Sequence, residues 1–219
     1  MNTIDASYKI EKLPSKEDMK LIEAAGRVCY KSEERTTDTS FVDFLEQIVR
    51  RGHESVLEHS MLTVRFICDR GVSHELVRHR LASFSQESTR YCNYGSTDED
   101  NITVIQPSFL PPFVKYEDVS FAEKEQVYTK KQHWYNAVNA AELCYKQLLL
   151  HGCSPQVARC VLPTCLKTEV VMTANLREWR HILKLRTSKA AHPQMRELMC
   201  PLLDDLKASI PVIFDDIEY

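Results

Sequence analysis

At 219 residues, 43% of them hydrophobic and 27% charged, the chain has an ordinary globular makeup and the length to bury a self-sufficient core. A formal net charge of −3 gives no global attraction to nucleic acid, and no apolar run approaches the roughly 18 residues of a membrane span. Only five glycines are present, where average usage of about 7% would give roughly three times as many, and their scatter excludes both G-x-G-x-x-G and G-x-x-x-x-G-K-[ST] phosphate loops.

Ser15-Lys16-Glu17-Asp18 opens a predicted helix with Met19, Ile22 and Ala25 on one face, ending near Gly26. Ser40 caps a second, in which Phe41, Phe44, Leu45, Ile48 and Val49 recur at helical spacing and Gly52 lies past the end. Over Met61–Asp69, Leu62, Val64, Phe66 and Cys68 alternate with Thr63, Arg65 and Ile67, which predicts a half-buried strand. Gly71 breaks it, and Ser73 is read as the cap of a helix through positions 74–82. Positions 102–105 form a second strand candidate, stopped by Pro107 and the Pro111-Pro112 loop. Ser120-Phe121-Ala122-Glu123 is a capping box for the longest helix, striped by Val127, Trp134, Val138, Ala141, Tyr145 and Leu148 and ended by Gly152.

Ser154-Pro155 starts a short helix that closes before Pro163, and positions 166–174 alternate as a third strand. Asn175-Leu176-Arg177-Glu178 reads as another capping box, leading a helix to about Arg186. A last helix begins near Pro193 and carries Pro201 inside it. The strands are too few for a doubly wound sheet, and no repeat or linker divides the chain. The expectation is α+β: a single domain over 1–219, with a small, mostly antiparallel sheet packed against several helices, one of them long.

Eight cysteines without a C-x-x-C or a regular spacing read as reduced thiols, mostly core filler, and with no export signal at the N-terminus the expected location is the cytoplasm. Cys165 has no evident activating base nearby. His74 and His79 lie about 140° apart around a helix and cannot chelate from one face, so no metal site is expected. Trp134, Trp179 and Tyr145 fall on periodic faces and read as core.

The densest polar cluster is Arg78-His79-Arg80-Leu81-Ala82-Ser83-Phe84-Ser85-Gln86-Glu87-Ser88-Thr89-Arg90-Tyr91. Arginine forks with serine and threonine hydroxyls suit an oxyanion. By composition alone this stretch is a solvated helix end followed by a polar loop. A nucleic-acid surface is the rival functional reading: it would use Arg78, Arg80 and Arg90, supported by Arg177, Arg180, Lys184, Arg186 and Lys189, which stand against Glu178 alone over positions 177–189. Ser88 lies in no G-x-S-x-G elbow, which excludes a hydrolase triad with His79.

The ordered spacing decides among these readings. Arg78-His79-Arg80, then seven residues, then Ser88-x-Arg90-Tyr91 resembles the signature of the flavin-dependent thymidylate synthases. Gly52-His53-Glu54-Ser55 with Glu58-His59 resembles a second family segment, and Val157-Ala158-Arg159-Cys160-Val161-Leu162-Pro163 a third. Asn175-Leu176-Arg177, His181, Leu185-Arg186 and Ala191-His192-Pro193 resemble a fourth, in the same order.

The resemblance implies reductive methylation of dUMP to dTMP, with 5,10-methylenetetrahydrofolate as carbon donor and NADPH as reductant through FAD. It implies a homotetramer with sites shared between subunits, and no nucleic-acid or membrane partner. By motif position, His53, Ser55, Glu58, Arg78, His79, Arg80, Gln86, Asn175, Leu176, Arg177 and His181 would contact FAD. The segment Glu75-Leu76-Val77-Arg78 and the segment Gln86-Glu87-Ser88-Thr89-Arg90 would surround the nucleotide with Arg159 and Arg186, and Arg186 would polarise the uracil ring. Glu75, Gln86 and His181 stand where some relatives carry Gln, Glu and Asn.

Overall fold

A computed structural model describes residues 1–95, 101–107 and 121–219, with 121–127 described as backbone. Four strands form one antiparallel sheet in the order β2 (Ser7–Lys12), β3 (Met61–Asp69), β6 (Lys167–Asn175), β4 (Ala82–Gln86). Two shorter strands, β1 (Asn2–Ile4) and β5 (Thr103–Ile105), pair in parallel with Thr3 opposite Val104. Among the described residues no helix is long and apolar enough to cross a membrane.

Residue contacts divide the chain into two compact units, one of residues 1–6, 67–74 and 86–169, the other of 7–66, 75–85 and 170–219. One division falls between β1 and β2; the others fall inside β3, the helix Arg70–Leu76, β4 and β6.

In the first unit, Ile102, Val104, Val138, Tyr145, Ala158 and Leu166 form a buried cluster, with Trp134, Leu148 and Cys165 packed on it. Helix α4 (Phe121–Leu150) supplies Val138 and Tyr145, as its stripe predicts, and the short helix α5 (Pro155–Ala158) supplies Ala158. Its end fits the sequence as well: Gly152 has φ +85°, a left-handed conformation that glycine adopts without cost. The capping box at Ser120, the Pro111-Pro112 loop and the Val127 side chain lie outside the described residues. Buried Glu142 accepts from the Ile102 amide at 2.9 Å and pairs with the N-terminal amine at 2.8 Å, tying β5 and the chain start to α4.

In the second unit, α1 (Lys16–Val28) begins at Ser15, whose hydroxyl and Asp18 exchange the two bonds of a capping box. Gly26 does not stop this helix. A Cβ there would lie 2.4 Å from Phe44 Cζ, so the glycine lets α1 approach α2 (Ser40–Arg51) closely. Alternation along β3 and β6 buries Leu62, Val64, Phe66, Val170, Met172 and Ala174. Trp179 of α6 (Leu176–Arg186) is fully buried and donates to the Leu62 carbonyl at 2.9 Å, which satisfies its indole in the core. Helix α7 (Pro193–Ser209) buries Met195, Leu198, Leu202 and Leu206 and holds Pro201 inside it; α8 (Pro211–Phe214) follows.

Three expectations need correction. The helix placed over 74–82 is α3, Arg70–Leu76, because Asp69 rather than Ser73 takes the capping role: its carboxylate accepts from the Val72 amide at 2.6 Å. Ser73 sits inside, donating to the Arg70 carbonyl. Arg78-His79-Arg80 therefore lies on a turn after the helix, and Ala82–Gln86, read as loop, is strand β4. The strands β1 and β2 carry too short an apolar pattern to be legible in the sequence.

Candidate active site

Helix α3 ends at fully buried Leu76, and the chain turns through hydrogen bonds from the Arg78 amide to Glu75 O and from the His79 amide to Leu76 O. The turn leaves Val77, Arg78, Arg80 and Leu81 exposed while His79 points inward at 5% exposure. Across from it stands α6. Asn175 caps this helix by accepting from the Glu178 amide at 2.8 Å. Glu178 does not complete the reciprocal half of the predicted box; its carboxylate lies 3.6 Å from His79 Nδ1.

Arg186, the last residue of α6, joins the two segments. Its Nη1 donates to Glu75 Oε2 at 2.5 Å, its Nη2 to the Glu75 carbonyl at 3.1 Å, and its Nε to His79 Nε2 at 3.0 Å. Burial, then the Arg186 charge, then His181 push the His79 pKa down to about 4, so the ring is neutral near pH 7 and can accept. The Glu75 carboxylate is thereby engaged by Arg186.

A cavity of about 580 Å³ adjoins these residues, lined by Leu81, Asn175, Arg177, Glu178, His181 and Lys184 with Glu54 and Glu58 from the 3-10 segment Glu54–His59. Of the predicted flavin residues, it brings together Glu58, Asn175, Arg177 and His181. His53 and Ser55 are exposed on the same short segment as Glu58. Leu176 is fully buried with its amide given to Ser60 O, and Leu76 is fully buried too, so neither side chain is open to a ligand. Glu54, Leu81, Glu178 and Lys184 line the cavity without having been assigned to it; the i, i+3 spacing of Glu178 and His181 on one helix face was the available signal.

The remaining predicted residues belong to the first unit. Gln86 donates to Ser73 Oγ at 3.0 Å and Thr168 Oγ1 at 3.3 Å. Glu87 accepts from Tyr94 at 2.6 Å and from Lys167 at 3.0 Å, one partner on each carboxylate oxygen. Ser88 Oγ accepts from the Arg90 amide, and the Ser88 carbonyl accepts from the Tyr91 and Cys92 amides, a tight turn that leaves Arg90 exposed over the Tyr91 ring. Arg159, exposed, donates to Thr89 Oγ1 at 3.1 Å. Five of these positions thus stand on one strand end and turn, with Arg159 brought to them. Cys165 is pushed up to about 11 by burial, which keeps it a thiol.

The rival basic patch is partly paired within the protein, while Arg78, Arg80, Arg90 and Lys189 are exposed. Arg180 is 1% exposed and held by Glu54, by Asp216 and by the Ile213 carbonyl. Arg177 pairs with Glu58 at 2.6 Å, and Lys184 lies near Glu54 and Asp216.

His79, Glu178 and His181 also place three possible metal-donor atoms within 4.8 Å of one another. A cation there would need His79 Nδ1 bare and Nε2 protonated, setting one N–H against the Arg186 Nε–H. The hydrogen bond to Arg186 requires the opposite tautomer.

The fold is thus an α+β chain in which an arginine-rich turn stands beside a cavity lined by both acids and bases, with no glycine loop in the sequence. More particularly, residues 12–212 match the family described as thymidylate synthase complementing protein, and the chain belongs to that family. It is 33% identical to the flavin-dependent thymidylate synthase of Mycobacterium sp. strain JLS, over 90% of this chain and 79% of that protein. It is 34% identical to the protein of that description from Corynebacterium glutamicum, over the same shares of the two chains. Among solved structures it resembles thymidylate synthase X from Helicobacter pylori, determined with FAD and dUMP, at 25% identity and a TM-score of 0.70, covering 97% of this chain and 98% of that one. A UMP/dUMP methylase from Streptomyces cacaoi shares the fold at 23% identity and a TM-score of 0.76, covering 98% and 96%.

Proposed function

We propose that the chain is a flavin-dependent thymidylate synthase, converting dUMP to dTMP with the carbon of 5,10-methylenetetrahydrofolate and reducing power from NADPH through FAD. The observation that carries this reading is the junction of Arg186 with Glu75 and His79. It joins positions 111 and 107 residues apart that the motif order assigns separately to nucleotide and to flavin.

The residues present suit FAD. The cavity has exposed Arg177 and Lys184 on its wall and an exposed Leu81, and Arg78 and Arg80 stand on the turn beside Leu81. These are donors and apolar surface for an anionic, aromatic group, in a chain that has no glycine loop for a pyrophosphate. Asn175, Arg177 and His181 would hold it with His53, Ser55, Glu58, Arg78 and Arg80. When bound, the flavin supplies the hydride chemistry, and no redox side chain is required.

Uracil C5 becomes nucleophilic only as the ring gains enolate character. Arg186, permanently charged and fixed by three hydrogen bonds, stabilises that charge without reorganising when it develops. Ser88, Arg90 and Arg159 offer a hydroxyl and guanidinium forks to the nucleotide phosphate, and the buried Thr89 hydroxyl holds Arg159 beside them. Glu87, held by Tyr94 and Lys167, keeps the turn in shape, and its negative charge does not suit contact with the phosphate. The active oligomer is a homotetramer that shares its sites between subunits.

Purified protein supplied with FAD, NADPH, methylenetetrahydrofolate and dUMP should form dTMP, and UMP in place of dUMP should give little product. No flavin uptake, no dTMP, or equal turnover of UMP would contradict the assignment.

A further inference from the structure

One ring nitrogen of His79 is hydrogen-bonded within the protein, and the other faces a carboxylate. Nε2 accepts from Arg186 Nε at 3.0 Å, which only an unprotonated nitrogen can do. The ring proton of the neutral imidazole is then on Nδ1, 3.6 Å from Glu178 Oε1, close enough for the carboxylate to favour that tautomer. A protonated imidazole would set N–H against N–H at Arg186, and burial disfavours that charged form. Glu75 grips the guanidinium from a second side through its carboxylate and its carbonyl. Of the five N–H donors on Arg186, three are thus fixed, and one remains on each terminal nitrogen.

We infer that His79, as its Nδ1–H tautomer beside Glu178, is a positioning residue for Arg186: it sets the plane of the guanidinium and so aims the two remaining N–H groups. This goes beyond the flavin contact expected from its place in the motif, and it rests on the proposed function for what Arg186 then does. The hydrogen-bond order itself does not depend on that function.

Two measurements separate the inference from the reading beneath it. In protein labelled with ¹⁵N-histidine, long-range ¹H–¹⁵N correlations at pH 7, assigned by their loss in a His79 variant, should show Nδ1 protonated and Nε2 bare. An Nε2–H ring or an imidazolium overturns the inference whatever the enzyme does. In kinetics, His79→Gln can carry an amide oxygen to the place of Nε2 and should keep kcat for dTMP formation within about fivefold. His79→Asn cannot reach and should lose about 100-fold, the scale of a misplaced electrostatic donor, with FAD affinity alike in the two variants. Equal losses of kcat, or FAD affinity falling in step with kcat, would overturn it and return His79 to a flavin contact. If the unaltered protein takes up no FAD and makes no dTMP, the proposed function fails, and the tautomer alone decides the inference. The same holds if a variant does not fold.

Discussion

Glu75 and His79 carry opposite duties toward one guanidinium, a carboxylate that supplies charge and a neutral ring that supplies only a lone pair. Removing the carboxylate in Glu75→Ala leaves Arg186 its bonds to the residue-75 carbonyl and His79 but lets it swing. Turnover of dUMP should fall about 10–100-fold, as for a loosened electrostatic donor, with NADPH reduction of the flavin unchanged when no nucleotide is present; stopped-flow absorbance reads both. His79 also makes stability depend on pH. Its folded-state pKa of about 4 lies below the usual 6.5, so between those values the unfolded chain binds a proton that the folded chain does not. The contribution is complete above pH 6.5 and is lost as pH falls toward 4, with Arg186, His181 and Glu178 as the charged or titratable groups facing the ring. Urea unfolding at pH 7 and pH 5 should show a smaller loss for His79→Gln than for the unaltered protein; equal losses would contradict the buried neutral ring. None of this coupling was legible in the sequence. The motif order identifies Arg186, Glu75 and His79 singly, but only the packing of α6 against the turn after α3 makes them one group.

At the level of elements, alternation located β3 and β6, and apolar stripes with capping residues located α1 and α6, because these signals lie among neighbours in sequence. Helix α2 was located by its stripe and not by its N-cap, which is Thr39 without a side-chain bond; Ser40, expected as the cap, is its first residue. The error at α3 has a definite cause. Asp69 ends a strand and caps a helix at once, so its side chain competes with Ser73 for a role that spacing alone assigns to the serine. Asp69→Ala should cost about 1 kcal/mol, the usual loss at an N-cap, whereas Ser73→Ala should cost less at that helix start. Gly26 gives a sharper comparison. An ordinary exposed helix glycine replaced by alanine gains about 1 kcal/mol. Here the new methyl would fall 2.4 Å from Phe44 Cζ, and overpacking of this kind costs about 1–3 kcal/mol. Gly26→Ala should therefore destabilise, and Phe44→Leu in the same chain should recover part of the loss. Urea midpoints check the sign: a Gly26→Ala chain more stable than the original would mean that the two helices have room to part.

For the whole molecule, the predicted residues fall into two groups, Ser88, Thr89, Arg90 and Arg159 in one compact unit, and Glu75, His79, Arg177, His181 and Arg186 in the other. The proposed shared site makes Arg90 of one subunit serve the nucleotide polarised by Arg186 of another. Arg90→Ala and Arg186→Ala proteins should each be nearly inactive, and refolding them together should restore part of the activity in sites that carry neither lesion. Confirmed mixed oligomers with no recovered activity would contradict that pairing. The pairing of Arg177, Arg180 and Lys184 with acids makes a further expectation, weak binding of polynucleotides at physiological salt, where an open patch of the same residues would bind with a steep salt dependence.

The central claim is that Arg186 acts on the nucleotide and not on the flavin, and Arg186→Lys tests it most directly. Lysine keeps the charge and loses the planar fork that Glu75 and His79 grip. With FAD bound, dUMP-dependent dTMP formation should fall by about 100-fold or more, while anaerobic reduction of the flavin by NADPH without nucleotide keeps its rate. Equal damage to both half-reactions, or none to either, would contradict the account.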